Sequence, residues 1–289
     1  MDTENTLKTP VLVLGATSLI GDHLLALLKA EDLNPTALSR RPPTQDICWI
    51  GGDLKDPDLD ERLPVAATVF ALSPIWLLPA ALPALKARGM ERLIAFSSTS
   101  RFTKTDSPDA GERAVAQKLA DAEDAVETWC AAHGVAWTIL RPTLIYDEGH
   151  DENVSRIARL VKRFGVMPLS GKGEGLRQPV HAADLAGGAL AAAHAPAACN
   201  RAYDLVGGET VTYRVMVDRV FEGLGKHPRS LPMPTWLFGL IMRLAKPFYP
   251  GATTAMGARM GQDLTFDSSD AMRDFAWAPR KFHPKFERA

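Results

Sequence analysis

Short β-branched apolar runs alternate with stretches of helical spacing along the first half of this chain, and that alternation restricts its fold more than any other feature. The run "VLVLG" at 11–15 ends in glycine, and "SLIGDHLLALLKA" after it carries apolar residues at helical intervals. The unit then repeats. "TALS" near 36, "CWI" near 48, "ATVFALS" at 67–73, "RLIAFSS" at 92–98 and "AWTILRP" at 136–142 read as buried strands, with helical stretches between most of them. Val115, Leu119, Ala122, Val126 and Trp129 recur every three or four residues and mark the helix before the last of these strands. Such a succession predicts an α/β fold with a doubly wound parallel sheet and helices on both faces.

From about residue 143 the pattern loses regularity. Polar loops at 147–155 and 171–177 and a late apolar stretch at 236–245, "WLFGLIMRLA", suggest a small cap on the substrate side of one continuous domain spanning 1–289. For the late stretch a cap helix is preferred to a membrane or subunit contact.

Composition narrows the partners. With 33 basic and 34 acidic residues the net charge is −1, so no global field favours nucleic acid or an anionic membrane, and a small molecule is the expected ligand. Cys48, Cys130 and Cys199 are odd in number and form no CxxC pair, which argues against disulfides and zinc and for a reducing cytoplasm. The seven histidines show no metal-ligand spacing, so no metal is expected. "MDTENTLKTP" has no apolar core of a secretory signal. The uncharged run at 65–85 contains Pro74, Pro79 and Pro83 and divides into strand, turn and helix, so no membrane span is expected. GxSxG is absent, and "GKGEG" at 171–175 lacks P-loop spacing.

"GATSLIG", Gly15 to Gly21, stands where a strand opens into a helix. Small residues there let the backbone approach a pyrophosphate whose charge is favoured by the helix N-terminus. Ser18 occupies the usual middle-glycine position. The second strand ends in Ser39, Arg40 and Arg41, where an NAD-preferring site would carry a carboxylate; two cations suit a 2′-phosphate, so NADP(H) is favoured over NAD(H). Asp53 and Leu54 follow the third strand, where an adenine would lie.

Taken in order, "GATSLIG", "GGDLKDP", "VFALSP", "IAFSSTS", "LRPTLIY" and "RQPVHAADLA" resemble the extended and atypical short-chain dehydrogenase/reductases, which include the epimerase/dehydratases and NmrA-like sensors. The resemblance spans roughly residues 9–225 and implies a Rossmann-type NAD(P)-binding fold. By resemblance, Gly15, Thr17, Ser18, Leu19, Ile20 and Gly21 form the phosphate loop, and Ala71, Leu72 and Ser73 the wall beside the nicotinamide ribose. It likewise matches Thr99 to the catalytic hydroxyl, Lys118 to the ribose-binding lysine, and Pro142 to the nicotinamide's neighbour. Arg177 and His181 match a substrate-side pair, with Asp184 more simply a helix cap. A homodimer is plausible on the same grounds.

One departure matters. Four residues before Lys118, where the family keeps its tyrosine acid, the chain has Ala114. Tyr146, Thr99 or Lys118 itself would then have to supply a proton, with Thr99 and Tyr146 also placed against the substrate. Two expectations stay open: an NADP(H)-dependent oxidoreductase or isomerase acting on a small carbonyl or nucleotide-sugar-like compound, and a non-catalytic NADP(H)-binding sensor or structural subunit.

Overall fold

The computed structural model describes residues 7–43, 47–245, 257 and 259–286; the first six residues, part of the stretch read above for a secretory signal, lie outside them. Seven strands form one sheet: β1 (Val11–Leu14), β2 (Thr36–Ser39), β3 (Cys48–Gly51), β4 (Thr68–Ala71), β5 (Arg92–Phe96), β6 (Ala136–Pro142) and, later in the chain, a strand at Arg201–Leu205. Their order is β3, β2, β1, β4, β5, β6, then the late strand, and every pairing is parallel. The strand order reverses between β1 and β4, which opens a crevice at the carboxyl ends of the strands.

Both faces of the sheet centre are covered, which is why β1, β4 and β5 are buried along their whole length. Val11 and Val13 point to one core, shared with Leu24 and Leu28 of α1 (Gly21–Ala30). Leu12 and Leu14 point to the other, shared with Leu78, Leu82 and Leu85 of α3 (Leu78–Ala87) and with Leu119 and Val126 of α5 (Ala110–Ala132). Short α2 (Leu59–Arg62) and α4 (Ser100–Thr103) lie in the connections.

Beyond β6 the chain runs through β7 (Ile145–Tyr146), α6 (Val154–Phe164), β8 (Met167–Ser170), β9 (Leu176–Arg177) and β10 (Val180–His181). Helix α7 (Ala182–His194) then returns it to the sheet, where the late strand becomes β11 at the edge beside β6. The sequence pattern did not signal β11. "RAYDL" buries Tyr203 and Leu205, but the charged, half-buried Arg201 and Asp204 interrupt the apolar run on its two faces, a weak signal of the kind an edge strand carries.

A third core lies away from the sheet. Val154, Ile157 and Val161 of α6 pack with Leu169 of β8 and with Met216, Val217, Val220 and Phe221 of α8 (Tyr213–Gly223). Strand β12 (Val211–Thr212) pairs with β9, and β13 (Ser230–Met233) lies parallel to β8. Helix α9 (Thr235–Ala245) follows β13. Among the described residues no helix is long and apolar enough to cross a membrane.

The C-terminal tail, beginning with α10 (Ser269–Phe275), ties cap to sheet. The buried Trp277 ring fills the space left by Gly188 of α7, where a Cβ would stand 2.5 Å from the ring, and its indole N–H donates to the Val206 carbonyl at 3.1 Å. Farther on, Arg280 pairs with Asp184, and Phe282 enters the cap core. Trp277→Ala should therefore lower unfolding stability by about 3–5 kcal/mol, read as a lower denaturant midpoint, with Trp277→Phe losing clearly less.

Candidate cofactor and substrate site

The crevice is built by the turns that follow β1, β4, β5 and β6. Gly15 has φ of +69°, and a Cβ on it would stand 2.7 Å from the Ser73 amide nitrogen, so the turns after β1 and β4 approach as only glycine allows. Gly21 is equally tight against the Ala16 carbonyl. Helix α1 starts without a side-chain cap, which leaves its first amides available to an anion. Ser18 Oγ and Ser73 Oγ are buried in the same crevice without a hydrogen-bond partner among the described residues. Buried hydroxyls cost free energy unless satisfied, so these two fit a bound polar group such as a phosphate or ribose.

Thr17 and Ser39 exchange a hydroxyl hydrogen bond of 2.9 Å that joins the ends of β1 and β2. Arg40 and Arg41 beside it are exposed, and neither side chain pairs with a described residue. Asp53 accepts the Lys55 amide in a tight turn, Leu54 packs into the core under β2, and Ala71 is buried at the end of β4. Leu19, Ile20, Leu72, Ser73 and Pro142 line a cavity of about 380 Å³ in the crevice.

Helix α5 is rotated relative to the sequence expectation. Ala114 and Lys118 are exposed and line neither this cavity nor the larger one beyond it. The positions four apart that face the crevice are Val115 and Leu119. Lys118 therefore stands about 100° around the helix from the site assigned to it, because Leu119 must enter the core with Ala122 and Val126. The start of the helix agrees with this register: Asp109 caps it by accepting the Glu112 amide, and Glu112 lines the larger cavity.

Tyr146 is also placed away from the expected site. It is fully buried in the cap core, edge-on to His181 and Phe282, and lines neither cavity. Burial pushes its phenol well above the ordinary tyrosine range, the opposite of what a proton donor at neutral pH requires. His181 is used structurally: Nδ1 accepts the Ala183 amide at the start of α7, leaving the Nε2 proton directed at Glu148, 3.0 Å away. Arg177 does stand in the wall of the larger cavity, but its guanidinium donates to the carbonyls of Leu176, Gln262 and Arg259. Asp184 grips Arg280, and the cap of α7 is His181.

Thr99 stands at the turn after β5. It is buried, its hydroxyl donates to the Pro142 carbonyl at 3.1 Å, and it borders the larger cavity. This cavity, about 800 Å³, lies between the crevice and the cap and also meets Arg156 of α6 and Tyr213 of α8. The two cavities share Leu19, Ser98, Ser100 and Ile145, so they adjoin along that wall. Lys104 and Arg156 face the larger one with no ion pair among the described residues. Burial raises the Glu112 carboxyl, but hydrogen bonds from Ser107 and Arg259 outweigh it and hold the group below the usual glutamate range.

Behind the turn after β5 lies a buried carboxylate. Glu123 of α5, 1% exposed, accepts from Ser97, Arg101 and Arg141. Its partners come from three different segments, so the Ser97–Thr99 turn is positioned by charge as well as by the strand.

Residues 15–167 match the family model described as NAD(P)H-binding, and the chain belongs to that family. Its fold is that of the extended short-chain dehydrogenase/reductases and epimerases. MoeE5, solved with UDP-glucose and NAD, is 22% identical, with 95% of this chain and 94% of that one covered and a TM-score of 0.73. UDP-glucuronic acid 4-epimerase from Bacillus cereus, in complex with UDP-glucuronic acid and NAD, is 15% identical over 94% of each chain, with a TM-score of 0.71. UDP-glucose 4-epimerase from Thermotoga maritima, with UDP-glucose, is 17% identical over 93% of each, with a TM-score of 0.67. Comparison with curated proteins gives no match.

Two outcomes follow from this geometry. Gly15→Ala should weaken dinucleotide binding at least about tenfold, whereas Lys118→Met should change it by less than about twofold, both read by calorimetric titration. The Glu112 carboxyl has a folded pKa below its unfolded value. Its stabilisation is therefore present above about pH 4.3 and lost as pH falls through the folded pKa. Glu112→Gln should flatten the acid limb of a stability-against-pH curve.

Proposed function

We propose that the protein is an NADP(H)-preferring oxidoreductase or isomerase of the short-chain type, acting on a small carbonyl or nucleotide-sugar-like substrate held in the larger cavity. The observation that carries this reading is a cavity large enough for a substrate that adjoins the crevice at a wall lined by Ser98 and Ser100. A protein that only held a dinucleotide would have no need of that second chamber. MoeE5 and the Bacillus cereus epimerase hold a UDP-sugar with NAD, and the Thermotoga maritima epimerase holds UDP-glucose, which is compatible with the same division of the site.

In this reading Gly15, Ser18 and the first amides of α1 hold the pyrophosphate, Ser73 meets the ribose, and Arg40 and Arg41 clamp a 2′-phosphate. A bound nicotinamide supplies or accepts hydride. The chain's own residues do the rest. Leu19, Phe96, Val115, Leu119 and Pro142 keep water from the nicotinamide end, and the hydroxyls of Ser98 and Ser100 orient a substrate oxygen at the junction. Lys104 and Arg156 suit a substrate carrying negative charge. A proton reaches that oxygen from solvent through the hydroxyls, since Val115 has none to give. The free cysteines Cys48, Cys130 and Cys199 are compatible with a cytoplasmic setting.

The second reading, a non-catalytic NADP(H) sensor or structural subunit, is favoured by one observation. The helix positions that face the crevice where an acid and a cation would serve catalysis are Val115 and Leu119.

Titration of nucleotide-free protein with NADPH, NADP, NADH and NAD tests the cofactor, and reduction of a carbonyl panel tests the chemistry. Arg40→Ala should weaken the phosphorylated pair about tenfold and leave NAD(H) unchanged. Turnover that falls with Ser98→Ala supports the enzyme; tight binding without turnover on any member of the panel supports the second reading.

A further inference from the structure

Helix α9 is apolar on nearly every side, and part of that surface faces out. Trp236, Leu240 and Leu244 recur every four residues on one side and are 72%, 47% and 68% exposed. Phe238, two residues from Trp236 and hence on the opposite side, is 2% exposed and packs beside Ser170 and Gly257. Arg243 shares the outer side and is exposed with no ion pair to a described residue. A helix usually hides its apolar stripe; α9 hides one aromatic residue and presents a tryptophan and two leucines.

The chemistry around this face selects its occupant. Between Glu222 and Asp263 the sequence has no acidic residue, yet it carries Lys226, Arg229, Arg243, Lys246 and Arg259, in a chain whose net charge is −1. Arg259 is turned inward to Glu112, but Lys226 and Arg229 are exposed. Lys226 caps the end of α6 by donating to the carbonyls of Val161 and Lys162, which brings exposed Lys162, Arg163 and Phe164 alongside. Strand β13 leads from this cluster to α9 and adds exposed Leu231. An exposed tryptophan and two leucines with Arg243 on the same helix side, in a segment with cations and no carboxylate, suit the interface of an anionic bilayer. A symmetric contact with a second copy would instead set these cations against themselves with no carboxylate from the segment to meet them.

We propose that the protein attaches peripherally to an anionic phospholipid surface through the outer face of α9, with Trp236, Leu240 and Leu244 entering the interface and Arg243 meeting headgroups. At 11 residues the helix is about 16 Å long, enough to lie in an interface and too short to span one. This attachment is independent of whether the dinucleotide site is catalytic.

The experiment is sedimentation of the full-length protein with vesicles of phosphatidylcholine alone and of phosphatidylcholine with phosphatidylglycerol, at low and high salt. Expected results are binding to the anionic vesicles at least about tenfold stronger than to the neutral ones, and weakening by salt. The double variant Trp236→Asp with Leu240→Asp should abolish it while retaining circular dichroism and dinucleotide affinity, since both side chains are exposed. Arg243→Glu should weaken it about tenfold. Blue-shifted tryptophan emission on binding should disappear in Trp236→Phe. Equal partitioning to both vesicle types, binding that survives the double variant, or absence of binding would overturn the proposal. So would a dimer in light scattering that Trp236→Asp dissociates, which would assign the face to a second copy.

Discussion

The site depends on the rotation of α5, and that rotation is held by Glu123. A carboxylate with almost no solvent contact is costly unless it is paired, and here it is paired three times, to Ser97 after β5, Arg101 of α4 and Arg141 of β6. Removing one partner would strand a charge in the interior, so helix and turns are locked to each other more firmly than apolar packing alone would require. Phe102 lies against the guanidiniums of Arg101 and Arg141, each 5.3 Å from its ring centroid. With Glu123 held inside, the side of α5 that turns to the crevice carries Glu112, Val115 and Leu119.

That rotation gives the crevice an unusual character for its architecture. Near Gly15 it combines a left-handed glycine, an uncapped helix and two buried hydroxyls without a partner among the described residues. Where α5 meets it, the wall is Val115 and Leu119, and Lys104, Glu112 and Arg156 stand in the chamber under the cap. Hydride exchange in such a place would rely on positioning and dryness more than on acid catalysis from the helix.

The same economy of side chains appears in the cap. Arg177 and His181 look like a substrate-side pair, and Asp184 like a helix cap, when spaced along a line of sequence. In three dimensions each is taken up by the fold: Arg177 by the carbonyls of Leu176, Arg259 and Gln262, His181 by the first turn of α7 and Glu148, and Asp184 by Arg280. The groups that do face the chamber without an ion partner, Lys104 and Arg156, lie in a loop and on an amphipathic helix. There a lone cation is the commonest of residues and announces nothing.

The central sheet was legible in the chain itself, because most of its strands are buried on both faces and are written as short apolar runs separated by helical spacing. The tight turn after β1 was equally legible, since a backbone that passes 2.7 Å from where a Cβ would stand can be made only by glycine. Edge strand β11 escaped notice because Arg201 and Asp204 interrupt its apolar pattern. The tertiary structure decided the rest. Whether residue 114 or 115 meets the crevice is a difference of 100° about one helix axis, and local spacing around Lys118 cannot distinguish the two. Long-range contacts can, since they must bury Leu119 and Glu123 at once. Likewise the outward apolar face of α9 reads in sequence like any core helix, and only packing shows which of its sides the protein left uncovered.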